Sequence, residues 1–229
     1  MVAMIGTRQS IAIRNPDRSL NWEKFPRFAL RRRTIYRAAK RGKGAWYFCA
    51  NGDCRFDLSS PRGTCYVGTD ELSGILESLG PDWCAGEQAI VLISDLINER
   101  QVHSYKPPTT WHLANLCHRK AGGFRISNEL SDMTPYDVPH EYAKLFDAIK
   151  DKTNRHRFHG IRFKSRFDTD LYPRAVALFG DEGEATWISA EVQDIGDDLI
   201  AQLAEVGIWV DEPPAKDELD RVRDDSEAA

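Results

Sequence analysis

The chain has 229 residues, 41% hydrophobic and 29% charged, a composition that excludes a fibrous or wholly disordered polymer and suits one folded core. No apolar run reaches the roughly 18 residues of a membrane helix, and Met1 to Arg14 lacks the apolar centre of a secretory signal, so a cytoplasmic location and reduced thiols at Cys49, Cys54, Cys65, Cys84 and Cys117 are expected. The net charge of −4 hides a split: residues 181–229 hold 16 acids against Lys216, Arg221 and Arg223, a local net of −13, which leaves +9 on residues 1–180.

Residues 1–23 read as an N-terminal extension. From Lys24 to Lys43 there are nine Lys or Arg and no acid, so whatever surface this segment lines carries a positive field and suits an anionic partner. Ala45 to Ala50 and Gly63 to Val67 are rich in aromatic or β-branched residues, are bounded by Asn51-Gly52-Asp53 and Pro61-Arg62-Gly63, and read as strands. Thr69 then offers a helix cap, Asp70 and Glu71 suit the positive end of the helix dipole, and Leu72, Ile75, Leu76 and Leu79 form an apolar stripe before Gly80-Pro81 stops it.

Further along, Gln88 to Leu92 reads as a buried strand. Trp111 to Lys120 and His140 to Lys150 carry helical periodicity, the first ended by Gly122-Gly123 and the second begun near Pro139. Ile161, Phe163, Ser165 and Phe167 alternate with Arg162, Lys164 and Arg166, which predicts a strand with Ser165 as a lone hydroxyl on its inward face. Ala175 to Phe179 and Ala185 to Glu191 read as strands, Asp197 to Val206 as a helix and Ile208 to Val210 as a last short strand. Asp211 to Ala229, with Pro213, Pro214 and abundant acids, predicts a disordered tail that either solubilises the chain or screens its basic body. Together these elements predict an α+β single domain over residues 24–210, a mixed sheet with flanking helices.

Several chemistries lack their residues. No G-x-x-x-x-G-K-[ST], H-E-x-x-H, G-x-S-x-G or G-x-G-x-x-G string occurs. Cys49 and Cys54 flank a turn with Cys65 nearby, but a second zinc-ligand pair is missing and no metal is expected. The basic segments at 24–43 and 152–166, interleaved with Phe25, Phe28, Tyr36, Phe158 and Phe163, leave a non-catalytic nucleic-acid-binding module open as an alternative.

Three stretches, taken in order, resemble the RES-domain family. They are Ile35-Tyr36-Arg37; Arg55-Phe56-Asp57 running through Gly63-Thr64-Cys65-Tyr66-Val67-Gly68 to Glu77; and Gly160-Ile161-Arg162-Phe163-Lys164-Ser165-Arg166. The most specific feature is a Tyr ending a strand with a Glu eleven residues later in the following helix, as Tyr66 and Glu77 stand here. The match covers roughly residues 30 to 180. The resemblance implies a fold similar to ADP-ribosyltransferase toxins and an enzyme that takes NAD+ as substrate, as hydrolase or phosphorylase. It further implies a toxin neutralised by a cognate antitoxin; a homo-oligomer is also open, and no membrane partner is expected. The sequence departs from that pattern in its length, its acidic tail and Val138-Pro139, where relatives have a hydroxyl residue opening a helix.

Cleaving the nicotinamide–ribose bond passes through an oxocarbenium-like transition state and calls for a carboxylate. By helix position alone Glu77 lies off the centre of its apolar stripe, where a carboxylate is ordinarily solvated. The resemblance instead implies that Glu77 holds a ribose hydroxyl and stabilises the developing cation. It implies that Tyr66 stacks on nicotinamide, against a plain sheet-packing role. The resemblance places Arg37 and Tyr66 with Glu77 among the catalytic residues, and Arg37 and Arg55 are implied to bind phosphate through their guanidinium forks, although either could be a surface arginine. Ser165 needs a partner, either a backbone carbonyl or a ligand phosphate or amide. The acceptor of ADP-ribose is water, phosphate or, as an alternative enzyme class, a protein or nucleic acid.

Overall fold

The computed structural model describes residues 13–84, 91–92, 97–168, 171–206 and 208–210. Its centre is an eight-stranded sheet in the order β1 (Arg27–Arg31), β7 (Thr110–Asn115), β8 (Gly160–Phe163), β9 (Ala175–Asp181), β4 (Arg62–Gly68), β2 (Ile35–Lys40), β6 (Arg100–Tyr105), β11 (Glu191–Asp194). β7 and β8 are parallel and every other neighbouring pair is antiparallel. Two short ribbons complete it: β3 (Tyr47–Phe48) with β10 (Gly183–Glu184), and β5 (Val91–Leu92) with β12 (Trp209–Val210). The helices are α1 (Glu71–Cys84), α2 (Glu129–Asp132), α3 (Asp137–Ala148) and α4 (Asp197–Glu205). This is a mixed α+β fold with a central sheet and flanking helices.

Side-chain alternation distributes the sheet over separate cores. Ala175, Ala177 and Phe179 of β9 face a cluster with Phe146 and Tyr142 of α3 and with Trp22 and Phe25, so the chain before residue 24 contributes to this core. Val176 and Leu178 face the other way, onto Leu30, Leu113, Trp46 and Phe48. Ala38 of β2 and Val102 of β6 pack beneath Ile75, Leu76 and Leu79 of α1 and Leu199 and Leu203 of α4, so the predicted α1 stripe is buried as a unit.

The join between β4 and β2 positions the site. These strands pair at one position only, Tyr36 opposite Gly68. Beyond it the Thr64 N–H and C=O turn to Cys49, at 2.8 and 2.9 Å, and β2 diverges. The sheet therefore opens into a split between its two halves.

Several local expectations need correction. Trp111 to Lys120 is not a helix: residues 110–115 form β7, and a short 3-10 turn follows at Arg119–Phe124. Its apparent helical period gives way because β1 and β8 take both edges of this segment as backbone partners. The strand predicted over 161–167 ends at Phe163, so Ser165 sits in the bend after β8 rather than on a strand face. Ala185 to Ala190 is a strap between β10 and β11, not a strand, anchored by Ala185 N–H to Trp46 O at 2.9 Å and Ala190 N–H to Ser104 O at 2.8 Å; only Glu191 of the predicted strand joins β11. The first predicted strand shortens to Tyr47–Phe48. α1 continues past Gly80-Pro81 to Cys84 rather than stopping at that pair. β1, β2, β6, β10 and all of β11 but Glu191 form where the sequence predicts no strand. The predicted tail, Asp211 to Ala229, lies outside the described residues, as do residues 1–12 of the N-terminal extension and residues 88–90 of the strand predicted over Gln88 to Leu92.

Candidate active site

A cleft of about 610 Å³ occupies the split, lined by Arg37, Ala38, Ala39 and Lys40 of β2, Thr64 and Tyr66 of β4, and Glu77 and Ser78 of α1. Tyr47, Cys49, Cys54, Lys43, Arg100 and Glu184 complete its wall and mouth. Glycines let α1 lie directly across the strands. A Cβ on Gly68 would meet the Gly74 nitrogen at 2.2 Å, and one on Gly74 would meet the Tyr36 carbonyl oxygen at 2.7 Å. α1 is thus pinned to both sides of the split, with Glu77 one turn further along.

Glu77 is half-buried as a residue, but its Oε1 is shut off from solvent and has no hydrogen-bond partner among the described residues. Burial pushes its pKa up to about 6, against the opposing effects of a hydrogen bond from Ser165 and the nearby Arg55 and Arg166 guanidinium groups. The expectation from helix position alone, a solvated carboxylate, is therefore wrong: the chain after β8 folds over α1 and covers it. A carboxylate with one unpartnered oxygen, poised near neutral pH, can accept a hydroxyl proton or face a developing positive charge.

Tyr66 lines the cleft, and its hydroxyl is engaged by the fold. It accepts the Phe56 N–H at 2.7 Å and lies 3.1 Å from Oδ1 of Asp57, to which it donates. Asp57 is buried, and its other oxygen accepts the Cys54 N–H at 3.0 Å. Burial raises the Asp57 pKa against those two bonds. Because both hydroxyl partners are interior groups, Tyr66→Phe should cost about 1–3 kcal/mol in urea unfolding. A cost under about 0.5 kcal/mol would mean that water replaces the hydroxyl.

Arg55 is buried rather than a surface arginine. Its guanidinium lies over Phe163 and Phe56 at 5.7 and 5.9 Å, and its Nε has no hydrogen-bond partner among the described residues. Desolvation and Arg166 lower its pKa, opposed by the attraction of Glu77. Arg37 lines the cleft, whose lining includes Glu77 and Tyr66 but not Arg55, and one of its terminal nitrogens is committed to the fold. It donates to the carbonyls of Ala45 at 2.7 Å and Tyr47 at 3.1 Å, and contacts Cys65 Sγ at 3.2 Å. Ser165 is buried, and its Oγ accepts the Phe167 N–H at 3.0 Å, which leaves its proton for Glu77. Its partners are thus a backbone amide and a carboxylate, neither of the groups expected.

Glu77, Tyr66, Arg55 and Ser165 converge from α1, β4, the loop before β4 and the bend after β8; Arg37 joins from β2. Asp57 and Arg166 carry no individual role in the sequence alone. Both stand inside the quoted stretches, in Arg55-Phe56-Asp57 and next to Ser165, and proximity to Tyr66 and Glu77 is the signal that brings them in. Among the described residues, no group of three or more His, Cys, Asp or Glu could hold a metal ion, and no helix is long and apolar enough to cross a membrane.

No family model and no curated protein matches the chain. Among solved structures, the fold is similar to that of a chain in the crystal structure of the M. tuberculosis MbcT–MbcA toxin–antitoxin complex. The TM-score is 0.54 at 10% sequence identity, over 75% of this chain and 88% of that one. At that identity the likeness is one of fold.

Proposed function

We propose that the chain is a RES-type enzyme with an ADP-ribosyltransferase-like catalytic domain over residues 24–210. In this reading it cleaves the nicotinamide–ribose bond of NAD+ and passes ADP-ribose to water or phosphate. The observation that carries the reading is the buried Glu77 carboxylate, with one oxygen unpartnered among the described residues, in a cleft that Tyr66 also lines and near the Arg55 and Arg166 guanidinium groups.

Nicotinamide, already cationic at its ring nitrogen, stacks against Tyr66, and Glu77 faces the ribose. Its ionised carboxylate accepts a ribose hydroxyl proton in a hydrogen bond and stabilises the oxocarbenium charge as the C–N bond lengthens. Ser165 orients that carboxylate by donating to it. Arg55, desolvated and rigid against two aromatic rings, offers guanidinium N–H groups to a substrate phosphate, with Arg166 beside it. Arg37 shapes the wall by clamping the Ala45 to Tyr47 segment and contributes charge toward phosphate.

The fold likeness to a chain of a toxin–antitoxin complex agrees with a toxin role and a cognate antitoxin. The defining experiment incubates purified protein with NAD+, with and without phosphate, and identifies products by mass. Free nicotinamide with ADP-ribose or its 1″-phosphate is the expected result, and intact NAD+ in both arms would overturn the reading. Arg55→Ala should weaken NAD+ binding by about 1.5–3 kcal/mol in calorimetric titration. An unchanged affinity would remove Arg55 from phosphate recognition.

A further inference from the structure

The fold divides the acid-free basic run from Lys24 to Lys43. Arg37, Lys40 and Lys43 line the cleft. Lys24, Arg27, Arg31, Arg32 and Arg33 instead run along β1 and the turns at its ends, all five exposed and without an ion-pair partner among the described residues. The proposed reaction uses none of these five.

Among the described residues β1 is a terminal strand of the sheet, paired with β7 alone. The Asn115 N–H donates to the Pro26 carbonyl at 2.9 Å, which fixes the phase of the antiparallel ladder. In that phase Phe28 and Leu30 direct their N–H and C=O groups to β7. His112, opposite Ala29, gives its carbonyl to His159 N–H on the other side at 2.7 Å, as the phase requires. The N–H and C=O groups of Arg27, Ala29 and Arg31 therefore point outward, and none of them has a backbone partner among the described residues.

We propose that β1 is a docking edge for an acidic, extended segment of a partner protein, which adds to the sheet as a further strand with its carboxylates beside Arg27 and Arg31. Such a strand satisfies the outward donors and acceptors alike, and its charge complements all five cations. A nucleic acid would be drawn to the same cations but would bring phosphates against the outward carbonyls. A second copy pairing antiparallel through β1 would bring arginine against arginine. A charged edge also deters aggregation, but charges of either sign achieve that, whereas this edge carries one sign throughout.

The test uses the full chain, isotope-labelled, with a capped octapeptide of alternating Glu and Val, its Lys–Val counterpart, and a single-stranded octanucleotide as separate probes. With the Glu–Val peptide, amide exchange at Arg27, Ala29 and Arg31 should slow about tenfold or more, with no slowing from the Lys–Val peptide. The double substitution Arg27→Glu with Arg31→Glu should weaken that peptide at least tenfold, while Arg27→Lys with Arg31→Lys retains it. Unchanged amide spectra elsewhere would show that these exposed positions leave the fold intact. Absence of protection at these three amides at about 1 mM peptide would overturn the proposal. Stronger perturbation of the same edge by the oligonucleotide would overturn it in favour of a nucleic-acid surface. Neither outcome depends on NAD+ cleavage.

Discussion

Glu77→Gln is expected to lower NAD+ turnover by about 10²-fold or more while leaving NAD+ affinity nearly unchanged, because an amide keeps the shape of the carboxyl but cannot offset the oxocarbenium charge. Turnover near that of the unaltered protein would exclude the role. The same carboxyl sets the pH dependence. Since its pKa is pushed up to about 6, kcat/KM of the unaltered protein should rise with pH through that value and then level off. Stability should move the opposite way. The folded pKa lies above the ordinary 4.5, so the folded state holds the proton more tightly, and the stabilisation present below 4.5 is lost as pH rises through about 6. Glu77→Gln should therefore be more stable than the unaltered protein at pH values above 6, by on the order of 1 kcal/mol, and nearly equal to it below 4.5. Urea unfolding under acidic and mildly alkaline conditions reads this directly. Equal stabilities on the alkaline side would mean that the carboxylate is hydrated after all.

Gly68→Ala is expected to cost about 3 kcal/mol of stability and to impair the site with it. The new methyl would lie 2.2 Å from the Gly74 nitrogen and 2.5 Å from the Ser73 carbonyl carbon, both backbone atoms that cannot swing aside. α1 would have to lift from β4 at the one position where β4 still pairs with β2, and Glu77 rides on that helix. A Cβ at Gly122 meets nothing within 4 Å, so Gly122→Ala should stay within about 0.5 kcal/mol and serve as the control. Thermal or urea unfolding of the two variants decides. Similar midpoints would mean that α1 can shift freely, and that the close approach does not fix Glu77.

The sequence by itself determined what depends on neighbours along the chain. The stripe of Leu72, Ile75, Leu76 and Leu79 specifies α1, the run Gly63 to Val67 specifies most of β4, and the start of α3 near Pro139 and the extent of α4 follow from local periodicity. Their order also fixes that Tyr66 and Glu77 lie on adjacent elements, which is why the resemblance can single them out. β1 was not legible, since Phe28, Ala29 and Leu30 form a short apolar run without alternation inside a densely basic segment.

Tertiary structure alone decided the rest. The helical period of Trp111 to Lys120 yields because β1 and β8 offer ladders on both sides, a gain that no local window contains. Glu77 sits off its helix's apolar stripe and would be solvated on an isolated α1. It is buried because Ser165, 88 positions away in the chain, is brought over it by the β8–β9 hairpin. Likewise, one continuous basic run becomes a cleft wall and a separate sheet edge only when β2 and β1 take places far apart in the strand order. Helical and extended periods are set within a few residues by backbone geometry, whereas desolvation and charge proximity depend on distance in space. Those distances exist only once the sheet has ordered its strands.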